Sequence, residues 1–223
     1  MTKPLLVIAA LVGVSLAAQQ PYAPARYVTG ARPALPALAV GGGQAFLELV
    51  ISPSGGVTTA TPLRSTPPFT QAVASAAGGW LFSPAQEDTV DADGKPTGRA
   101  SVPAKVLVAA LYRAPTLLTP TQGERPKDVA SPSPEVAFPT ATQEPIFPPQ
   151  ARGSGVVLIE AMVDPSGKLA DAKVIGSAPP FDEPALEAAR QWRFRPARVG
   201  GRATATYVYL LFGFPEPVTG NGQ

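Results

Sequence analysis

Slid along itself by 112 positions, the sequence meets itself: Trp80 falls on Trp192, Phe82 on Phe194 and Pro84-Ala85 on Pro196-Ala197. In the same frame Pro33 meets Pro145, Pro36 meets Pro148, Gly43 meets Gly155 and Glu48 meets Glu160. The turn Pro53-Ser54-Gly55 lands on Pro165-Ser166-Gly167, Ser65 on Ser177, Pro67-Pro68-Phe69 on Pro179-Pro180-Phe181, and Ala76-Ala77 on Ala188-Ala189. A bias toward Ala and Pro aligns those two residues by accident, but it does not place both tryptophans, both Phe-x-Pro spacings and the turn in one frame. The register predicts a tandem duplication in which the copies fold by the same local rules.

The second copy carries the clearer signals. Val157, Ile159, Ala161 and Val163 alternate with Leu158, Glu160 and Met162, one fully apolar face and one mixed, the pattern of a strand packed on one side. Asp164-Pro165-Ser166-Gly167 supplies a turn, with Pro preset in φ and Gly free to take positive φ. The return strand, Leu169 to Ile175, alternates imperfectly, which predicts a bulge near Ala170 or Asp171. Asp182 before Glu183-Pro184 starts a helix. Ala185, Ala188 and Trp192 recur on one side of it, and the helix is expected to run to Trp192-Arg193-Phe194-Arg195-Pro196, where Pro stops it. Arg190, Arg193 and Arg195 then gather at the negative end of its dipole. Thr204 to Phe214 is the closing strand. Trp192 and Trp80 read as core rather than as ligand platforms.

The fold class expected is therefore α+β: two small domains, each an antiparallel sheet in the order strand, strand, helix, strand with one helix on one face. The first, 33–113, is a worn version. Arg193 is replaced by Leu81, Asp182 by Thr70, and Arg190-Gln191 by Gly78-Gly79, two glycines that cost a helix interior about 1 kcal/mol each. The second spans 144–214. Between them 114–143, with prolines at 115, 120, 126, 132, 134 and 139, reads as an extended connector with a reach on the order of 90 Å at ~3.1 Å per residue. Residues 19–32 read as an extended lead-in and 215–223 as a flexible tail.

Composition narrows the function. The chain has no histidine and no cysteine, which removes the usual general base, triad member, thiolate nucleophile and most metal ligands. No catalytic group, cofactor or metal site is expected. A formal charge of +2 with 15% charged residues indicates no nucleic-acid partner. Lys3, the apolar run Pro4 to Leu16 and the small residues Ala17 and Ala18 form a secretory signal over residues 1–18, removed near Ala17 or Ala18; the alternative is a short membrane anchor, although a spanning helix needs about 20 apolar residues. Either way that segment directs the chain across a membrane or holds it at one.

The second copy resembles the C-terminal domain of TonB-type energy transducers. The resemblance rests on Pro145-Ile146-Phe147-Pro148, on Ala151-Arg152 before Gly155, on Asp164-Pro165-Ser166-Gly167, Phe181-Asp182, Ala188-Ala189 and Trp192-Arg193-Phe194-Arg195-Pro196, and on the closing apolar strand. It implies a periplasmic domain that grips a peptide of an outer-membrane transporter by strand addition, main-chain hydrogen bonds supplying affinity. On that basis the partner-binding residues are Ile146, Phe147 and Arg152, matching the segment near the transporter, with Thr204, Ala205, Thr206, Tyr207, Val208 and Tyr209 as the receiving edge. It also implies coupling to an inner-membrane motor complex through a membrane helix bearing a Ser and a His, but this chain has no His. A structural envelope adaptor without energy coupling is the alternative. A domain of roughly 70 residues with no disulfide also gains stability by dimerising.

Overall fold

Six long strands and two helices are built from the runs the pattern marks. Gly43–Ile51 (β1) and Val57–Ser65 (β2) form a hairpin, Phe69–Ala77 (α1) crosses back, and Ala104–Tyr112 (β3) pairs with the free side of β1. In the same order Gly155–Val163 (β4) and Leu169–Gly176 (β5) pair, Asp182–Arg190 (α2) follows, and Thr206–Phe214 (β6) closes on β4. The computed structural model describes residues 22–36, 41–115 and 125–217. The turn glycines are forced. Gly55 (φ 89) and Gly167 (φ 83) adopt a conformation that disfavours side chains, and a Cβ at either would lie 2.0 Å from the carbonyl oxygen of Phe82 or Phe194.

The two units do not stand apart as separate domains. Their closing strands pair in parallel, Val208 with Leu107 through Gly213 with Tyr112, so one seven-stranded sheet runs β5-β4-β6-β3-β1-β2 and ends on the short strand Lys127–Asp128. A parallel junction puts the helices on opposite faces. On one face α1 lies with Leu47, Leu49, Val108 and Ala110, joined by Leu158, Tyr209 and Leu211 of the second unit. On the other α2 lies with Ile159, Ala161, Leu210 and Phe212, joined by Phe46, Leu107 and Ala109 of the first. Covered on both faces, the central strands are apolar at nearly every position. This corrects the reading of the first strand of the second unit as packed on one side.

The segments read as lead-in and connector are part of this core. Arg26–Thr29 pairs with Leu81–Ser83, and Phe138–Ala141 pairs with Arg193–Arg195. Trp80 donates its indole N–H to the carbonyl of Ala31 at 2.8 Å, and Trp192 does the same to Gln143 at 3.0 Å. Each arm then crosses to the other unit. Arg26 grips Glu160 with two nitrogens, and the Tyr27 amide donates to the Tyr209 hydroxyl at 2.7 Å. In return the Ser133 amide donates to Glu48 at 2.9 Å, and Phe138 stands edge-on to Phe46. Val136 and Ala137 are buried, so residues 125–143 are not a free tether. The mixed face of β4, with Leu158 and Glu160, is where the first arm lies.

Local expectations fare unevenly. The bulge appears where β5 slips register, Asp171 opposite Met162 and Leu169 opposite Val163, leaving Ala170 unpaired. The helix, however, ends at Arg190, because Arg193–Arg195 is drawn into a strand and Trp192 is buried beneath it. Asp182 opens the helix without capping it; its carboxylate instead accepts from the Ala178 amide at 2.7 Å and from the Ser177 hydroxyl. Gly78 is the C-terminal cap of α1 and Gly79 follows it, so the helix-interior cost expected for them does not arise. The signal segment lies outside the described residues, and among those described no helix is long and apolar enough to cross a membrane.

Candidate protein-binding site

Of the segment Ile146 to Arg152, one residue turns in and two turn out. Phe147 is 7% exposed and packs on Phe181 and Phe214, with ring centroids 5.4 and 6.4 Å away. The Arg113 guanidinium stands 6.0 Å above it and donates to the Pro145 carbonyl at 2.6 Å. It is an anchor for the lead-in to β4, not a surface. Ile146 beside it is 74% exposed, and Arg152 is exposed as well. These two are free to touch a partner.

The closing strand is placed differently from what its resemblance implies. Thr204 ends a hairpin in which Ala197–Val199 pairs with Arg202–Thr204, and Ala205 links it to β6. Thr206, Tyr207, Val208 and Tyr209 all pair with β4, and Val208 and Tyr209 pair on their other side with Leu107 and Val108 of β3. Here the receiving edge is taken by the chain's own first unit. The reason is compositional: β6 and β3 are both apolar on two faces, and each removes the other's edge from water. Tyr209 is buried, and that burial raises its hydroxyl pKa well above the ordinary tyrosine value.

The strands left at the ends of the sheet are β2 and β5. Their signals are an edge-strand proline, Pro62, and the charges Asp171 and Lys173 on β5. β2 is partly covered by the chain itself. Ser65 and Arg64 pair antiparallel with Lys127 and Asp128, and the Val129 amide donates to the Leu63 carbonyl at 2.8 Å. Arg64 Nε donates to Asp128 Oδ1 at 2.7 Å while its Nη1 donates to Gln44 Oε1 at 3.0 Å. This bond from Arg64 holds the Asp128 carboxyl below the usual carboxylate range. Among the described residues β5 has no strand beyond it. At its far end Arg32, Pro33, Leu35, Val156, Ser177 and Ala178 surround an open cleft of ≈ 530 Å³.

The remaining charges are mostly engaged within the fold. Glu160 is 4% exposed, held by Arg26 at 2.9 Å and Lys173 at 3.2 Å. Arg26, bonded to Glu160, has its pKa raised. Arg193 donates to the carbonyls of Arg190 and Trp192 at the end of α2, and Arg195 donates to those of Ser133 and Val136. Of the three helix-end arginines, only Arg190 is left with a loose surface contact, 3.5 Å from Glu183. Among the described residues no group of three or more Asp or Glu is placed to hold a metal ion.

Residues 143–214 match the model of the family described as Gram-negative bacterial TonB protein C-terminal. That stretch takes in β4, β5, α2 and β6 together with the Phe147 anchor. The family is one of non-enzymatic protein-interaction domains of the envelope, which bind outer-membrane transporters. No curated protein matches the chain.

Proposed function

We propose that this chain is a TonB-like periplasmic protein-binding module that serves TonB-dependent transport across the outer membrane, taking an extended segment of a partner by strand addition. The observation that carries the reading is the family match over 143–214, falling on a complete hairpin, helix and closing strand. The exposed Ile146 and Arg152 flank the anchor Phe147 and are assigned to the partner contact. Residues 33–113 are read as a diverged copy of the same unit, kept as scaffold. Its arm, turn, helix and tryptophan bonds recur 112 residues on, which supports that origin.

A second reading is favoured by one observation. The edge of β6 is filled by β3, and the chain lacks the histidine expected for motor coupling. On that reading it is an envelope adaptor with no energy coupling. Deleting the gene and measuring energy-dependent uptake of a scarce nutrient separates the two. Impaired uptake restored by the intact chain supports the transport role, and normal uptake sinks it. The N-terminus of the mature protein is the cheaper check: a start at Ala18 or Gln19 removes any direct link to a motor, while an intact Met1 with membrane retention restores it.

A further inference from the structure

The two ends of the sheet carry the same recognition geometry, but among the described residues only one of them holds an occupant. At the first, Arg64 projects from β2, donates through Nη1 to Gln44, lies 4.9 Å over the Phe46 ring, and offers Nε to Asp128 of the passing connector. The position 112 residues after Arg64 is Gly176, which has no side chain. Arg32 from the first arm fills that place. Its Cδ lies 2.7 Å from where a Cβ of Gly176 would be, and its Nη1 donates to the carbonyls of Val156 at 3.1 Å and Ser177 at 2.5 Å. Val156 is the counterpart of Gln44 and Ser177 of Ser65, so a guanidinium is restored at the same point of the edge by a different part of the chain.

What Arg64 has and Arg32 lacks is the acid. Arg32 is exposed, and its Nε and Nη2 have no bonded partner among the described residues. Among the described residues the outer side of β5 bears no strand, and the cleft beside it is open. The positions that would correspond to Lys127 and Asp128 are Ser15 and Leu16, which lie outside the described residues and carry no carboxylate. We infer that the outer edge of β5 at Ile175, Gly176 and Ser177 is a docking site for an extended peptide segment bearing an acidic residue. The segment adds antiparallel, as Lys127–Asp128 adds to β2, and its carboxylate takes Nε and Nη2 of Arg32. Main-chain bonds supply the strand addition, and the planar guanidinium selects a carboxylate over a neutral side chain.

This site rests on the reading of the chain as a protein-binding module and gives that reading a place and a partner chemistry. The probe is the chain's own occupant: an acetylated, amidated peptide of residues 125–131, Arg-Pro-Lys-Asp-Val-Ala-Ser, titrated into the full-length mature protein and followed by amide NMR. Saturable shifts at Ile175, Gly176 and Ser177 are expected. The peptide with Asp128→Asn should bind at least about tenfold more weakly, the loss of one charge-assisted pair. Arg32→Gln should bring about the same loss, and Arg32→Lys part of it. Absence of shifts at the edge, equal binding of the Asn peptide, or edge amides already protected in the free protein by its own leader or a second copy would each overturn the site. A deletion strain rescued in full by Arg32→Gln would also refute the site as the functional contact while leaving the transport reading intact. Peptide binding alongside normal uptake in the deletion strain would do the reverse.

Discussion

The first and second units share their turn, arm and tryptophan bonds, yet their edges have opposite fates. Inner edges are mutual: β3 and β6 each fill the other. Outer edges diverge: among the described residues the connector straps β2 through Asp128, while β5 ends the sheet with a guanidinium beside it that meets no carboxylate. A fold of this kind can spend one edge on its own assembly and keep another for a partner. Which edge is kept is decided by side chains at only a few positions, since the backbone geometry at the two ends is the same.

The comparison breaks first if the units prove to be separable. Trp192→Ala and Trp80→Ala remove large side chains from fully buried sites on opposite faces of one sheet. Each should cost about 3–5 kcal/mol. Because the sheet is shared, each variant should still unfold in one transition in urea, by both fluorescence and circular dichroism; two resolved steps would mean the units are independent. Next, Glu160→Gln should cost about 1–3 kcal/mol by loss of charge-assisted bonds to Arg26 and Lys173, and Glu48→Gln less, since its bonded partners are the Ser133 amide and a Lys105 contact at 3.5 Å. Equal losses in denaturant melts would show that the crossed arms are held alike.

Gly55→Ala and Gly167→Ala sharpen the likeness. Both place a Cβ against a carbonyl oxygen at positive φ, so both should destabilise by roughly 1–3 kcal/mol and by similar amounts. The smallest effect is confined to the strapped edge. Asp128 has its folded pKa lowered by Arg64, so its contribution is present above the ordinary carboxylate pKa and is lost as pH falls through the lowered folded value. The protection of the Val129 amide against hydrogen exchange, relative to an unstructured amide at the same pH, should therefore fall in acid below the usual carboxylate range. The Ile175 amide, with no such strap, should show no matching step.

Much of this architecture was legible because period-2 alternation, the Pro-Ser-Gly turn and the two tryptophans spaced 112 residues apart are signals carried by the sequence itself. The bulge at Ala170 was readable from broken alternation alone. What escaped reading is what two distant segments do to each other. The near-continuous apolar runs Val106–Tyr112 and Val208–Phe214 signal burial on both faces, but an isolated small sheet with one helix leaves one face open, and only the pairing of the two units closes it. Proline spacing hid the packing of 125–143 for the same reason: Val136 and Phe138 are single apolar residues in a connector composition, and their contacts lie on the other unit. Of the named partner residues, Ile146 and Arg152 were placed on the surface by neighbours alone. Val208 and Tyr209 could not be, since nothing within 143–214 says that their outer side is already taken.

The crossed arms have a consequence for how such a chain can change over generations. Each unit's face is finished by a strand of sequence that precedes the other unit, so a gene that lost the second half would strip Phe46 of Phe138 and Trp192, and Tyr27 of Tyr209. Leu81 and Val28 face outward and are exposed, whereas Arg26 and Tyr27, on the same arm as Val28, bond across the boundary to Glu160 and Tyr209, so a change at either is felt in both units.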